Sequence, residues 1–143
     1  MFSINIVRVR GNVGGDPVIR TFNGGKKMAS FSVATSEKWK DKKTGELVEQ
    51  TEWHTVNVFV EHFVNVIEQY VKKGTMVECD GKLKTQKWND DAGITRYKTI
   101  IELSGYNSHF IIIKQKNNTD VSENYEEAIA ESANAIAEDD IPF

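Results

Sequence analysis

The sequence contains little of what marks secreted, membrane-spanning or metal-binding proteins. Its single cysteine, Cys79, cannot form an intramolecular disulfide, which fits a reducing compartment. The apolar run from Phe110 to Ile113 is far shorter than the roughly 20 residues that a membrane span needs. Residues 1–10 alternate polar and apolar side chains and lack the apolar block of a signal peptide. We therefore expect a protein of the cytoplasm.

Signatures of catalysis and of metal binding are also missing from the sequence. The histidines, His54, His62 and His109, are too dispersed to form a metal-ligand motif, and a single cysteine argues against zinc. No carboxylates cluster on one predicted strand face, and we find no glycine-rich phosphate loop and no serine or cysteine nucleophile motif. We expect no metal, no cofactor and no enzymatic activity, such as that of a nuclease.

Basic residues are absent from the last part of the chain. Residues 117–143 hold 8 acidic and no basic side chains, whereas residues 1–116 hold all 18 Lys and Arg against 13 Asp and Glu. The net charge of −3 is therefore the sum of +5 on the first part and −8 on the second. A basic folded part can attract a polyanion although the whole chain is acidic.

Alternating apolar residues predict a mainly β protein. Strands are expected over residues 5–9, 18–22, 28–35, 53–60, 76–85 and 94–103, with 110–113 completing or extending the last of them. Gly11 to Pro17 breaks the first strand, and Asn23-Gly24-Gly25 favours a hairpin turn between the next two. Residues 40–50, polar and charged around Gly45, are typical of a long exposed loop.

One amphipathic helix is predicted between the strands. Its apolar residues recur at helical spacing and Lys72-Lys73-Gly74 ends it; they are Phe63, Val66, Ile67, Tyr70 and Val71. This order of elements predicts an all-β OB-fold, a five-stranded Greek-key barrel with one helix between strands 3 and 4. We expect a domain over residues 1–113, a flexible acidic linker over 114–137 and an acidic tip over 138–143, the tail being disordered.

The strand over 53–60 has two chemically different faces. Val56, Val58 and Val60 form the core row with His54 at its edge, so Trp53 and Phe59 must point the other way. On the strand over 76–85, Val77, Cys79 and Leu83 share the core phase. The opposite phase runs Lys82, Lys84, Gln86 and Trp88. Aromatic rings therefore lie beside lysines on the row opposite the core, and Trp39 borders the charged loop.

Exposed aromatic rings within a basic groove are how proteins bind single-stranded nucleic acid without reading its sequence. The candidate base-stacking residues are Trp39, Trp53, Phe59 and Trp88. Candidate phosphate contacts are Lys42, Lys43, Lys72, Lys73, Lys84 and Lys87, with Arg8, Arg10, Lys26 and Lys27 as further candidates. Two alternatives remain open: the tryptophans belong to a core or subunit interface, or the aromatic face binds protein in an OB-fold adaptor.

Several motifs resemble the bacterial-type single-stranded DNA-binding protein family. They are Ala34 to Trp39, Thr44-Gly45-Glu46, Glu49 to His54, Lys72-Lys73-Gly74, Lys87-Trp88, Arg96-Tyr97 and the tip Asp139-Asp140-Ile141-Pro142-Phe143. The resemblance covers about residues 4–113 and the tip. The linker differs, because in the family it is commonly rich in Gly, Pro and Gln.

The resemblance implies roles for individual residues. Trp39, Trp53, Phe59 and Trp88 fall on base-stacking positions, and Lys42, Lys73, Lys84 and Lys87 on basic contact positions. His54 falls on a subunit contact of a homotetramer. The tip from Asp139 to Phe143 would dock on replication, recombination and repair proteins. The protein would lie in the bacterial cytoplasm, associated with the nucleoid. Thr55, Glu61 and Gln86 stand where the family often has a basic residue.

Overall fold

The computed structural model describes residues 2–115, so the predicted linker beyond Lys114 and the acidic tip lie almost entirely outside the described residues. Within this range the chain forms strands β1 (Val7–Val13), β2 (Val18–Thr21), β3 (Lys27–Lys40), β4 (Leu47–Val58), β5 (Met76–Asn89), β6 (Thr95–Leu103) and β7 (His109–Lys114). Helix α1 (Glu61–Tyr70) lies between β4 and β5. No helix of the described residues is long and apolar enough to cross a membrane.

Five of the strands close into a barrel in the order β1-β3-β4-β6-β5, and β5 pairs back onto β1. The closing pair is antiparallel and runs from Val7 opposite Gly81 to Asn12 opposite Met76. The one parallel pair of the described sheet joins β4 to β6, with Val56 opposite Ile101. β2 pairs with β3 and β7 with β5, outside the closed ring. This confirms the predicted OB-fold, with the helix between the third and fourth barrel strands.

The core consists of alternate residues of the barrel strands and one face of the helix. Val33, Val56 and Val77 are fully buried, as are Val64 and Ile67 of α1. A row of aromatic rings links strand, helix and β7, with 6.1 Å between the ring centroids of Phe31 and Phe110 and 6.3 Å between those of Phe63 and Phe110. The helix thereby covers a side of the barrel that the strands alone would leave open.

The predicted break after the first strand begins at Gly14, three residues later than expected. β1 begins at Val7 and continues through Gly11 to Val13, and Ile4 and Ile6 before it are exposed. Gly11 is required in the strand because a Cβ there would lie 2.0 Å from the carbonyl oxygen of Ala34. A glycine inside a strand can mark such a close backbone approach, and here it does not end the strand.

The loop predicted over residues 40–50 is longer than the one that the structure contains. β3 and β4 remain paired as far as Lys40 opposite Leu47, and only residues 41–46 form the turn. The Asp41 amide donates to the Glu46 carbonyl at 2.9 Å, and Gly45 adopts a positive φ of 69°. The sequence lacks apolar alternation here because this hairpin extends past the barrel, with solvent on both faces.

Candidate nucleic-acid interface

Side chains on β3, β4, β5 and β6 that point away from the core form one surface, which we call the outer face. Cross-strand register defines it: Trp53 lies opposite Ala34 of β3, and Trp88 lies opposite Arg96 of β6. Phe59, directly after β4, continues the phase of Trp53, and its amide donates to the Leu103 carbonyl at 2.9 Å. The exposed fractions of Trp53, Phe59 and Trp88 are 61%, 41% and 45%. The outward phase that the valine row predicts for Trp53 and Phe59 is confirmed.

Trp53 lies against the backbone of Gly14, which follows β1. A Cβ built on Gly14 would be 2.3 Å from Cζ3 of the Trp53 ring and 2.8 Å from Oγ of Ser32. The Gly14 amide donates to the Ser32 carbonyl at 3.0 Å, which holds this backbone in place. Gly14 therefore supports one side of the ring. The sequence analysis missed this residue, because the contact joins positions far apart in the chain.

Trp39 lies on the other side of the sheet. It follows Phe31 and Val33 in the core phase of β3 and pairs with Val48, whereas Trp53 and its partner Ala34 point to the outer face. This end of β3 extends beyond the barrel, so no core lies against Trp39, and its side chain is 43% exposed. The structure thus brings Trp53, Phe59 and Trp88 to one face and separates Trp39 from them.

The centre of the outer face is a polar row around Glu102. Ser30 donates to Oδ1 of Asn57 at 2.9 Å, and Asn57 lies beside Glu102 in the parallel pair of β4 and β6. Lys82 and Lys84 each approach a different oxygen of Glu102 to 3.3 Å. Burial alone would raise the pKa of Glu102, but hydrogen bonds from Lys84, Lys82 and Ser104 outweigh it and hold the pKa below its usual range.

The other predicted lysine contacts lie in separate places. Lys42 and Lys43 are exposed in the turn of the β3–β4 hairpin, and Lys72 and Lys73 are exposed directly after α1. Lys87 is exposed on the β5–β6 hairpin, but its register opposite Tyr97 turns it away from Trp88. Of the predicted set, Lys84 is the one that shares the outer face with the aromatic rings. Three outer-face bases that the sequence analysis did not single out as phosphate contacts are Lys82, Arg96 and Lys98.

Three of the further basic candidates already have acidic partners. Arg8 binds Asp80 through two hydrogen bonds of 2.7 and 2.9 Å, and Arg10 binds Glu78 at 2.9 Å. Lys27 lies 3.2 Å from Glu68, and Lys26 is exposed at the β2–β3 turn. In each pair the carboxylate neutralises the charge that phosphate would need.

Other candidate groups have structural surroundings. His54 is half-buried on the core phase of β4, with Nε2 2.8 Å from the Thr35 hydroxyl. Cys79 is fully buried, and desolvation raises the pKa of its thiol to about 12. No group of three or more His, Cys, Asp or Glu side chains within residues 2–115 could hold a metal ion.

A shallow pocket of about 280 Å³ opens beside Trp53 on the outer face. Ser30, Ser32 and Thr55 contribute hydroxyl groups to its lining, which also includes Gly15, Asp16, Val18 and Phe31. The outer face therefore combines exposed rings, hydroxyl groups and lysines. Such a surface can stack flat apolar groups and contact anions.

Comparison with known proteins gives concordant results. A family model described as the single-strand binding protein family matches residues 4–109. The single-stranded DNA-binding protein of Rickettsia prowazekii (strain Madrid E) is 43% identical over 149 residues, covering 99% of this chain and 98% of the relative. That of Rhizobium meliloti (strain 1021) is 50% identical over 106 residues, covering 74% of this chain and 61% of the relative.

A solved structure has the same fold. The chain described as "Plasmodium falciparum SSB complex with ssDNA" is 37% identical to this one, with a TM-score of 0.74. The match covers 80% of this chain and 98% of that chain.

Proposed function

This chain belongs to the single-strand binding protein family, and on that premise we propose that it binds and coats single-stranded DNA without strong sequence preference. We further propose that it acts in replication, recombination and repair in the bacterial cytoplasm, associated with the nucleoid. Family membership supports a binding protein and not an enzyme. The observation that carries the proposal is the family match over residues 4–109 coinciding with an outer face of exposed rings and lysines.

Base stacking would supply most of the affinity. Each base stacked on an aromatic side chain contributes about 1–3 kcal/mol by alanine substitution, and every base offers such a face. Trp53, Phe59 and Trp88 are exposed on one face, which supports consecutive stacking along one strand. Trp39 would bind a base on the other side of the β3–β4 hairpin. Tolerance of sequence follows, because stacking does not read the hydrogen-bonding edges of bases.

Phosphate contacts would add a salt-dependent component. Lys84 is the proposed contact on the outer face, and Lys42, Lys72, Lys73 and Lys87 are proposed around it. Each phosphate neutralised on a single strand contributes about 0.7 to the slope of log K against log salt concentration. The pairing of Lys84 with Glu102 means that this lysine would exchange one anionic partner for another.

The proposal is tested by titrating oligo-dT into the full chain at low salt while following tryptophan emission. We expect saturable quenching, and we expect Trp53→Ala to weaken binding about 5- to 150-fold, the equivalent of one stacked base. Tyr106→Ala is the matched control, because Tyr106 is fully exposed in the turn after β6. Saturating DNA that leaves the tryptophan emission unchanged would overturn the proposal and favour the protein-binding adaptor.

We propose a homotetramer as the working assembly, with His54 in a subunit contact. Support comes from strand edges: over Val7 to Gly11 the described pairing of β1 is to β5 alone, and that of β7 is to β5 alone. Unpaired edges favour addition of another strand, and Ile4 and Ile6 beside β1 are exposed. Light scattering of the native chain should give the mass of four chains, and the mass of one chain would refute the assembly.

The acidic tip, outside the described residues, is proposed to recruit partner proteins of replication, recombination and repair. Its acidic side chains and terminal Phe143 are separate from the basic barrel in sequence, which supports a division of roles. Deleting residues 141–143 should leave the oligo-dT affinity unchanged and abolish retention of partners from a bacterial lysate. Loss of DNA binding on that deletion would contradict the division.

The whole acidic segment is proposed to compete weakly with DNA for the basic surface at low salt. The motive is the charge split of +5 and −8. Removing residues 117–143 should change the salt slope of DNA binding. Identical slopes with and without the segment would exclude appreciable competition.

A further inference from the structure

The β3–β4 and β5–β6 hairpins extend from the same end of the barrel. β4 and β6 run parallel at Val56 and Ile101, and each is preceded by its hairpin turn, at residues 41–46 and 90–94. Parallel neighbours begin at the same edge of a sheet, so both turns lie beyond that edge. The side chains of residues 82–89 and 95–99 are exposed along the β5–β6 hairpin. Each hairpin therefore presents two accessible faces.

One face of each hairpin continues the outer face. We call the other one, which continues the core phase of the strands, the inner face. On the β5–β6 hairpin it carries Tyr97 directly opposite Lys87. The Tyr97 side chain is 65% exposed, and the Lys87 Nζ lies 5.9 Å from the centroid of its ring. On the outer face of the same hairpin, Trp88 lies opposite Arg96. An aromatic ring paired with a cation thus occurs on both faces at adjacent positions of the ribbon.

The charge on this inner face favours an anionic partner over a cationic one. The side chains in this phase are Leu83, Thr85, Lys87 and Asn89 on β5 and Thr95, Tyr97, Thr99 and Ile101 on β6, with no acid among them. The inner face of the β3–β4 hairpin differs, because Glu37 and Glu52 share it with Trp39. The β5–β6 hairpin is therefore the stronger candidate for a second contact with phosphate.

We propose that the inner face of the β5–β6 hairpin is a further binding site for single-stranded DNA, in which Tyr97 stacks a base and Lys87 contacts the adjoining phosphate. The strand would pass from Trp88 around the edge of the hairpin to Tyr97. Consecutive residues Lys87 and Trp88 point to opposite faces, so the edge between the two sites is one ribbon wide. The inference rests on the proposed DNA binding.

The test measures oligo-dT affinity by fluorescence for a series of increasing lengths, using the full chain with Tyr97→Ala, Tyr97→Phe and the control Tyr106→Ala. Tyr97→Ala should weaken binding of long oligonucleotides about 5- to 150-fold. The shortest oligonucleotides that still bind should lose less, because the outer face alone accommodates them. Tyr97→Phe should retain affinity, since its ring remains, and Tyr106→Ala should bind as the unchanged chain does.

A second variant guards against misfolding. If Tyr97→Ala does not fold, Tyr97→Thr replaces it, because threonine favours strands and lacks a ring. Wild-type affinity of the ringless variant at every length overturns the inference. A changed native mass in light scattering with unchanged affinity also overturns it, and assigns Tyr97 to a subunit contact. Loss of affinity in Trp53→Ala beside no loss in Tyr97→Ala leaves the proposed function intact and removes this site alone.

Discussion

Replacing Gly14 by alanine should disable one stacking position without unfolding the protein. The new Cβ would lie 2.3 Å from Cζ3 of Trp53, whereas carbon atoms in contact are about 3.5–4.0 Å apart. The ring must therefore move by more than about 1 Å, or the backbone must shift. The backbone is held, because the Gly14 amide bonds to Ser32 and the preceding Val13 amide donates to Thr75 at 2.9 Å. The ring is the part that moves.

The size of the effect follows from the role of Trp53. Complete loss of one stacked base costs about 1–3 kcal/mol, which raises Kd about 5- to 150-fold, and a displaced ring should lose part or all of it. Thermal stability should change little, because the ring is mostly exposed and Gly14 has no positive φ to forbid alanine.

Gly15→Ala is the matched control, since nothing lies within 4 Å of a Cβ there. Oligo-dT titration and thermal melting of both variants should show weaker binding for Gly14→Ala alone, at similar melting temperatures. Combined with Trp53→Ala, Gly14→Ala should have no further effect, because the ring that it displaces is gone. Equal affinities of the two glycine variants, or full additivity with Trp53→Ala, would refute the reasoning.

Three further predictions concern buried or paired groups. Glu102→Gln should release Lys82 and Lys84 for phosphate, tightening binding at low salt and steepening the salt slope by up to about 0.7 per phosphate gained; an unchanged slope would contradict it. Cys79, with its pKa raised to about 12 by burial, should resist a thiol reagent at pH 8 until the chain unfolds, and rapid reaction of the folded chain would refute the burial. A hydrogen bond from Arg8 lowers the pKa of Asp80 below its usual 3.8. The stabilisation of the folded state by this pair is therefore present above pH 3.8, and it is lost as the pH falls through the pKa of Asp80 in the folded state. The gap in melting temperature between the unchanged chain and Asp80→Asn should therefore close below pH 3.8, and a constant gap would argue against the pair.

Strand phase could be predicted where the barrel has a core. Val56 and Val58 are buried, so alternation correctly turned Trp53 to the outer face, and the glycines after Asn23 correctly placed the β2–β3 hairpin. Local patterns could not show the function of Gly11 and Gly14, because each glycine is required by a residue far along the chain. Close approach of strands is a property of the fold, and no neighbouring residue in the sequence reports it.

The alternation of side chains along a strand no longer predicts their burial where the strand extends beyond the barrel. Leu83 is in the core phase, as predicted, and Tyr97 shares that phase on β6. Both are exposed, because the β5–β6 hairpin continues past the last buried layer. For the same reason the sequence predicted a loop where the β3–β4 hairpin lies, because the residues of this hairpin are polar on both faces. The sequence therefore did not show to which face Trp39 points. An exposed ribbon needs no apolar row, since backbone pairing and cross-strand contacts such as that of Ser36 with Thr51 at 3.0 Å hold it. Both of its faces are then open to a ligand, so a ring there need not share a face with the others to bind the same strand of DNA.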